Sequence, residues 1–501
     1  MKNKASLLAV LLWVLCMQLG FAQSRTISGV VRDAGSGETL PGVAVLEKGT
    51  QNGTATNIEG KFELTVSSAN ATLVFKSIGM EEKEVALGSE DYVVVQLKQS
   101  TESLQEVVVT ALGVSREKRS LGYTSSNVSS DEVTEGGDRS PLNAIQGKVA
   151  GVNISSASGS PGSSSRIIIR GLQSVDQDNQ PLFVIDGVPI FNNSSNINSL
   201  NLGADFGNGA NAINPEDIEN ISILKGASAT ALYGSRASNG VVLITTKKGK
   251  TSPAGKQNFG ISYAGNVSFS DVYILPTFQE DFGQGWDGTH LLGENGSWGP
   301  KYDGKERVWG NVVDNSQLLK PYVHLPDNVR DFFETGVSYQ NSISFNGGDE
   351  KGSYYVSFSN TKTDGIYPTD VDTYNRNTVA LRGSRNAGIF NFSGSLNFSD
   401  TKSSFVPTGQ GPTVYNNIMQ IPRDISIVDM SDYTNKFYNI DNYFTPYGVV
   451  NPYFTLNEFG SKFRGSKFFG GLESSVELTD WLTGTYRFGF DYGTDNYNIW
   501  E

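Results

Sequence analysis

The first residues of the chain follow the pattern of an export signal. Two lysines lie among the first four residues, an almost wholly apolar stretch covers residues 5–19, and the small residues Gly20 and Ala22 follow. This order of charged, apolar and small residues is typical of a secretory signal peptide. The apolar stretch is shorter than the ~18 residues that a membrane-spanning helix needs. We therefore predict a signal peptide over residues 1–22, cleaved before Gln23, and an exported mature chain.

Between residues 24 and 99, short β-prone runs alternate with turn residues such as Asn52-Gly53 and Glu59-Gly60. Strands of this length at this spacing predict a small all-β sandwich. Residues 29–66, GVVRDAGSGETLPGVAVLEKGTQNGTATNIEGKFELTV, resemble the carboxypeptidase-regulatory-like domain. That domain carries no catalytic residues, and neither histidine of the chain falls in this segment. The resemblance implies a spacer or docking module.

An apolar run interrupts the linker that follows, residues 100–118. It reads LQEVVVTALG over residues 104–113 and lies between a polar tract and the charged residues 116–119. One interpretation is a last strand of the sandwich. The other is a peptide that adds a strand to the edge of a partner's sheet, where backbone hydrogen bonds give affinity. The residues by themselves leave both interpretations open.

Residues 119–249 predict a compact domain of short helices and strands joined by Gly, Ser and Asn turns. Asn214 and Pro215 suit the start of a helical turn. Residues 182–185 and 241–245 are apolar on both faces, which predicts interior strands. These strands are too few and too short for a large core.

Beyond residue 250, apolar and polar residues alternate over longer runs. Six runs place apolar residues, often Phe or Tyr, on one face, near residues 259–269, 337–345, 354–358, 390–398, 468–478 and 482–492, and a weaker seventh strand is predicted near residues 375–383. Such alternation over ~10 residues is typical of transmembrane β-strands, apolar toward lipid and polar toward the lumen. A soluble sandwich with one wet face is the alternative, which the strand length, the aromatic density and the signal peptide disfavour.

The connections between these runs alternate between long and short. The longer ones are residues 271–336, 363–373 and 401–465, and the shorter ones are residues 347–351, 384–388 and 479–481. Outer-membrane barrels have short periplasmic turns and longer outward loops. Aromatic residues of the first long loop are therefore candidates for cargo contact: Trp286, Trp298, Tyr302 and Trp309. The alternatives are that they seal the loops or bind a partner protein.

Composition excludes several classes of function. The net charge of −13 argues against nucleic acid as a partner, because a basic patch would be expected. Two histidines and one cysteine leave little for a His/Cys metal site or for Cys or Ser–His catalysis. The single cysteine, Cys16, lies in the predicted signal peptide, so we expect no disulfide in the mature chain. We predict no enzyme, no cofactor and no metal site.

Two blocks within residues 119–249 resemble a known family. The first contains PLNAIQGKVAGV, RGL and PLFVIDGVPI, and the second, residues 213–249, reads INPEDIENISILKGASATALYGSRASNGVVLITTKKG. They resemble the plug domain of TonB-dependent receptors, and more narrowly the SusC/RagA branch found in Bacteroidota. The order of signal peptide, carboxypeptidase-like domain, short apolar run and plug is similar to that branch.

The resemblance implies a mostly β fold with four mature parts. These are a β-sandwich (24–99), a linker with a TonB box (100–118), an α+β plug domain (119–249) and the first strands of a large antiparallel transmembrane β-barrel (250–501). The TonB box corresponds to Glu106, Val107, Val108, Val109, Thr110 and Ala111.

The implied activity is TonB-dependent, plug-gated import of a glycan or peptide oligomer across the outer membrane, after Sec export. The implied partners are TonB with the ExbB/ExbD energising complex, a SusD-like surface lipoprotein and outer-membrane lipid. Seven is an odd number of strands, and a plug of ~130 residues needs a lumen of roughly 22 strands. We therefore expect the barrel to be incomplete. The alternatives are a surface receptor or adhesin without transport, or a non-functional truncated product.

Overall fold

The computed structural model describes most of the chain. The described residues are 25–50, 52–68, 71–77, 80–88, 90–98, 107–109, 115–117, 125–156, 158–172, 174, 179–192, 196–197, 203–226, 233–253, 257–411, 413–444 and 449–500. They divide into two compact units, Met1–Glu106 and Val107–Glu501, which we describe separately. No helix within the described ranges is both long and apolar enough to cross a membrane.

The first unit is a sandwich of two sheets. Its strands are β1 Arg25–Asp33, β2 Ala44–Glu47, β3 Gly53–Ala55, β4 Lys61–Val66, β5 Thr72–Lys76, β6 Lys83–Ala86 and β7 Tyr92–Leu97. One sheet has the order β4-β1-β7 and the other β3-β2-β5-β6. In β4, exposed and buried residues alternate, and Phe62 meets Phe75 of the facing sheet edge-to-face at 5.4 Å. Alternation of this kind buries one face of each sheet in a shared core.

The second unit begins with a two-stranded hairpin. Its strands are β8 Val107–Val109 and β9 Ser115–Glu117, paired antiparallel with Val108 opposite Arg116. The pair forms a sheet by itself.

The next part of this unit, which we call the plug, comprises residues 125–253. Its elements are β10 Ser125–Ser129, α1 Ser130–Thr134, β11 Val152–Ser156, β12 Ser165–Ile169, β13 Leu182–Ile185, β14 Val188–Ile190, β15 Asn196–Ile197, β16 Ala204–Asp205, β17 Ile218–Leu224 and β18 Val241–Thr246. Short 3-10 helices lie at Asn143–Ile145, Gly209–Ala212, Pro215–Asp217 and Ser235–Ala237. The main sheet has the order β10-β17-β18-β13-β14. The predicted interior strands, β13 and β18, lie next to each other within it and are almost wholly buried.

The last part is a seven-stranded antiparallel sheet, which we call the wall. Its strands are β19 Asn258–Ser270, β22 Gly336–Gly348, β23 Gly352–Asp364, β24 Thr373–Ala387, β25 Phe390–Phe405, β26 Gly460–Thr479 and β27 Leu482–Trp500, neighbouring one another in chain order. The predicted alternation is confirmed. Phe358, Phe392 and Phe488 are exposed on the outer face, whereas Ser357, Ser359 and Ser399 are buried on the inner face, which faces the plug.

The long connections at one end of the wall fold together, and we call them the cap (residues 271–335, 365–372 and 406–459). They contain β20 Glu306–Val313, β21 Ser316–Pro321, α2 Val414–Met419, α3 Pro452–Glu458 and a 3-10 helix at Val428–Met430. Apolar residues from all three segments share one core, including Phe332, Ile425 and Tyr367. The predicted alternation of long and short connections is confirmed, and the mostly β fold class is confirmed with it.

Candidate functional site

One fully buried arginine of the wall holds the plug. Arg376 of β24 is 1% exposed. Its Nη1 donates hydrogen bonds to three plug carbonyls, that of Asn211 at 2.6 Å and those of Arg139 and Ile213 at 3.2 Å each. Its Nη2 donates to the hydroxyl of Thr361 on the neighbouring strand. A single wall side chain therefore binds the backbone of separate plug segments.

A second set of contacts joins two plug carboxylates to the wall. The hydroxyl of Tyr355 donates to Oδ1 of Asp217 at 2.9 Å. Directly opposite Tyr355 in the sheet lies Arg382, whose Nε is 3.9 Å from Oδ2 of Asp186. Asp186 in turn accepts hydrogen bonds from the backbone N–H and the hydroxyl of Thr246. The two plug carboxylates are thus oriented toward neighbouring residues of the inner face.

A third set of contacts fixes β14 of the plug to β26 and β27. The backbone N–H of Phe191 donates to Asp491 and its carbonyl accepts from Lys467, both at 2.8 Å. Nζ of Lys467 is also 3.5 Å from Oδ2 of Asp491, so the two wall residues pair with each other. The backbone of Phe191 is therefore bound by two charged wall residues that neutralise each other.

The apolar contact between the plug and the wall depends on two glycine residues of the wall. Val188 of the plug lies over Gly471 and Gly489, which are paired across β26 and β27. A Cβ atom at Gly489 would lie 2.8 Å from the methyl groups of Val188. Such a separation is too short for carbon atoms that do not share a bond. The two glycines form a notch that receives the plug.

Sequence reasoning did not single out these plug–wall residues. Arg376 and Arg382 occupy the polar face of a strand that otherwise shows Thr and Ala there. The presence of two arginines at inward-facing positions of one predicted strand was the only feature of the sequence that could have pointed to a contact with the plug. Their plug partners lie more than 150 positions away in sequence, so local pattern does not reveal them.

The residues of the predicted TonB box are described only in part. Val107, Val108 and Val109 form β8, paired with β9, whereas Glu106, Thr110 and Ala111 lie outside the described residues. An edge of β8 that carries no partner in the described structure is the geometry that strand addition requires.

The four aromatic candidates of the first long loop fall into two pairs. Trp286 and Trp298 are 57% and 68% exposed, with ring centroids 6.4 Å apart. Trp309 is buried in the cap core, stacked on Tyr438 at 6.1 Å. Tyr302 packs against Tyr322 at 5.2 Å, and burial raises the pKa of the Tyr302 hydroxyl. The exposed pair is available to a ligand, and the other two contribute to packing of the cap.

The segment that presents the exposed tryptophans is tightly braced. The backbone N–H of Trp298 donates to the carbonyl of Gly285 at 3.0 Å, and that of Trp286 donates to the carbonyl of Thr289 at 3.1 Å. Gln284, which is fully buried, donates its backbone N–H to Asp424 at 2.7 Å, and its backbone carbonyl accepts from the hydroxyl of Tyr322 at 3.3 Å. Asp424 also pairs with Lys320. The tryptophan pair therefore projects from a fixed support, which lowers the entropy lost on binding.

One acidic group has the spacing of a metal site. Carboxylate oxygens of Glu334, Asp364 and Asp370 lie within 4.8 Å of one another near the base of the cap. Acidic side chains alone, two of them well exposed, are a common surface feature. We assign no metal to them.

Comparison with protein families places two domains. Residues 117–241 match the TonB-dependent receptor plug domain, and residues 27–109 match the CarboxypepD_reg-like domain.

Comparison with curated proteins gives long matches. The chain is 34% identical over 390 residues to the TonB-dependent receptor SusC of Bacteroides thetaiotaomicron, covering 78% of this chain and 35% of SusC. It is 33% identical over 363 residues to the TonB-dependent receptor P39 of Formosa agariphila, covering 72% of this chain and 31% of that protein. The chain thus spans about a third of the length of these relatives.

Solved structures share the fold. The RagAB peptide importer in its "open-open" state matches with a TM-score of 0.54 at 20% identity, over 78% of this chain and 43% of that one. The "closed-closed" state matches with a TM-score of 0.51 at 22% identity, over 75% and 41%. A plug domain seated on the inner face of an antiparallel wall defines a TonB-dependent receptor. With the added CarboxypepD_reg-like domain and the match to SusC, the chain belongs to the SusC/RagA type of these receptors.

Proposed function

We propose that the protein takes part in TonB-dependent import of a nutrient across the outer membrane, with the plug as the gate. The observation that carries this proposal is the chemistry of the plug–wall boundary. The apolar core of the plug is built almost wholly from plug residues, with Phe469 of the wall added at its edge, and Arg376, Tyr355 and Lys467 hold the plug through hydrogen bonds. Water can replace such bonds at a net cost of about 1 kcal/mol for a neutral donor such as Tyr355 and about 1.5–3 kcal/mol for a charged donor. The plug can therefore separate from the wall while most of its core stays buried, with the loss of the contact to Phe469.

Force on the plug would enter through the TonB box. In this proposal β8 receives a strand of TonB, energised by ExbB/ExbD. An isolated two-stranded hairpin is marginally stable in water, and a third strand stabilises it. The unpaired edge of β8 in the described structure supports this mode of binding.

The substitution Val108→Pro tests the TonB step. Proline removes a backbone donor and breaks strand pairing. We expect the purified protein to lose at least tenfold in affinity for the TonB carboxy-terminal domain on a biosensor surface. Val108→Thr retains both the N–H and the strand preference and is expected to bind as the parent does.

The same variants distinguish import from a surface receptor or adhesin. Import predicts that Val108→Pro abolishes uptake by cells while Val108→Thr preserves it. A receptor without transport predicts equal uptake by both variants, and that result would reject the import proposal.

We further propose that the cargo is a glycan or peptide oligomer, received beneath a SusD-like lipoprotein. SusC and the RagAB peptide importer are the similar proteins that support this choice. The exposed pair Trp286 and Trp298 offers flat apolar surfaces on a braced support, and rigid tryptophans are frequent anchors of binding. The relatives are receptors, and we propose no catalytic step.

The cargo contact is tested by Trp286→Ala with Trp298→Ala. We expect reduced uptake of fluorescein-labelled maltooligosaccharides or of labelled tryptic peptides, whichever the parent protein accepts. Tyr273→Ala removes another exposed aromatic residue of the same cap and serves as the control. Equal uptake by all three proteins would remove the tryptophan pair from the proposal.

A further inference from the structure

The charges of the wall's inner face follow an uneven pattern. The described inner face carries four basic residues, Arg376 and Arg382 on β24, Lys467 on β26 and Arg487 on β27. Lys467 and Arg487 each pair with a carboxylate of the wall, Asp491 and Glu473 respectively. The other two have no such pair among the described residues.

The oxygen atoms that face these two arginines come from both the plug and the wall, but the only carboxylate among them belongs to the plug in the described structure. Arg376 binds three plug carbonyls and one wall hydroxyl. Nη2 of Arg382 donates to the amide oxygen of Asn397 on the wall at 2.9 Å, and its carboxylate partner is Asp186 of the plug, at 3.9 Å. Nε and Nη1 of Arg382 have no hydrogen-bond partner in the described structure, although its side chain is 4% exposed. Displacement of the plug would therefore take Asp186 away from Arg382 and the three plug carbonyls away from Arg376, and neither guanidinium group would then have a carboxylate partner.

The neighbours of the two arginines on the inner face are uncharged. Thr361 and Thr401 flank Arg376 on the adjoining strands, and Tyr355 and Ser395 flank Arg382. Between the arginines, Thr378 is flanked by Ser359 and Ser399 in the same way. The two arginines are six positions apart, which corresponds to roughly 20 Å along an extended strand. The result is a line made mainly of hydroxyl groups with a guanidinium group at each end, interrupted by Ala380 and its neighbour Asn397.

A cavity already reaches this line beside the plug. It encloses about 520 Å³ and is lined by Arg382, Ser384 and Ser395 of the wall and by Asp186, Arg236 and Lys248 of the plug region. Glu473 and Asp491 also line it, but both are paired with wall cations. The unpaired charge around the cavity is consequently positive.

We propose that the inner face of β24 is a binding track for carboxylate groups of the cargo, uncovered when the plug moves. A guanidinium group donates two parallel hydrogen bonds to a carboxylate, and such charge-assisted bonds are stronger than neutral ones. In the closed state the plug carbonyls and Asp186 occupy the positions that cargo oxygens take later. This inference rests on the proposed function and specifies its substrate class, an acidic oligomer.

The test uses the protein as its host produces it, purified and placed in planar lipid bilayers. Urea weakens plug contacts before it unfolds a hydrogen-bonded barrel, so rising urea should open a pore. Current through the open pore is then measured with trigalacturonate, triglutamate and the neutral maltotriose as blockers. We expect both acidic trimers to block at least tenfold more tightly than maltotriose.

Variants locate the block. Arg376→Gln with Arg382→Gln keeps side-chain donors for the plug carbonyls but removes both charges, and we expect block by the acidic trimers to weaken about tenfold. Arg376→Lys with Arg382→Lys keeps the charges and is expected to retain most of the block. Arg385→Gln with Asp349→Asn removes an exposed neutral pair of the wall whose side chains make no hydrogen bond to the plug in the described structure, and it is expected to change the acidic block little.

Each outcome decides one question. Block by trigalacturonate alone identifies an acidic saccharide as cargo, and block by triglutamate alone identifies an acidic peptide. Equal block of the parent and the double-Gln variant overturns the proposed track while leaving the gate intact. If no pore opens before the barrel unfolds, the plug is not a separable gate, and the proposed function itself fails.

Discussion

The cap and the plug both rest on the same wall, but they are joined to their surroundings by opposite chemistry. The three cap segments meet in an apolar core that includes Phe332, Ile425 and Tyr453. The plug also has an apolar core, but the wall contributes only Phe469 to it, and the boundary between them is otherwise made largely of hydrogen bonds from Arg376, Tyr355 and their neighbours. Apolar burial favours movement of the cap as one body. Hydrogen bonds that water can replace favour separation at the plug boundary.

The largest effect should come from the cap core. Phe332 is 2% exposed and packs edge-to-face on Phe333 and Tyr453. Phe332→Ala should destabilise the cap by about 3–5 kcal/mol, as expected for loss of a buried phenyl ring. Hydrogen exchange should increase throughout residues 271–335 and 406–459, while the urea concentration that opens the pore stays the same. Tyr273→Ala, at a position 87% exposed, is the control.

A change in both cap hydrogen exchange and pore opening would contradict the proposed difference between the cap and the plug. If Phe332→Ala also lowered the urea concentration for pore opening, cap and plug would be one cooperative unit. The apolar and polar junctions would then not separate the protein into two mechanical parts.

The stability of the cap should also depend on pH, because it contains a buried carboxyl group. Asp372 is 1% exposed, and burial raises the pKa of its carboxyl to about 7. Because the folded pKa lies above the ordinary value of 3.8, protonation stabilises the folded form. That stabilisation is present at low pH and is lost as the pH rises through 7. Opening of the loop should become easier by on the order of 2 kcal/mol between pH 5 and pH 8.

Hydrogen-exchange protection of Gly365 and Ile366 measures this effect. Their backbone N–H groups donate to the carbonyl and to Oδ2 of Asp372 respectively. After correction for intrinsic exchange, protection should fall between pH 5 and pH 8 and be nearly constant in Asp372→Asn. Pore opening by urea should not follow the same pH profile, because this carboxyl belongs to the cap. Greater protection at pH 8 than at pH 5 would show that protonation of Asp372 does not stabilise the folded loop.

The notch under Val188 provides a smaller perturbation of the plug boundary alone. Gly489→Ala places a methyl group 2.8 Å from Val188 and should weaken plug seating by about 1–2 kcal/mol, as for an overpacked core position. The pore should open at lower urea, with hydrogen exchange of the cap unchanged. Gly493→Ala, on the same strand and face, meets its nearest atom at 3.6 Å and should behave as the parent. Equal opening of the two variants would mean that Val188 does not set the plug's position.

The sequence predicted the elements better than their contacts, for a physical reason. Strand alternation is local, so Phe358 and Ser359 alone indicate which face points outward. Stacking of Trp309 on Tyr438 joins loops more than a hundred positions apart, and no local pattern signals it. Sequence reasoning therefore grouped Trp309 with the exposed Trp286. It also passed over Arg376, because an arginine on a polar face resembles any solvated residue until its plug partners are known.

The smallest effect compares two hydroxyl groups on one strand. Ser342 of β22 accepts a hydrogen bond at 3.1 Å from Asn214 of the plug, whereas Ser338 bonds Thr363 within the wall at 2.8 Å. Ser342→Ala should weaken plug seating by about 0.5–1 kcal/mol and lower the opening urea concentration slightly. Ser338→Ala should leave that concentration unchanged, since no plug atom takes part in its bond. If Ser338→Ala had the larger effect, wall stability rather than the polar boundary would control release of the plug.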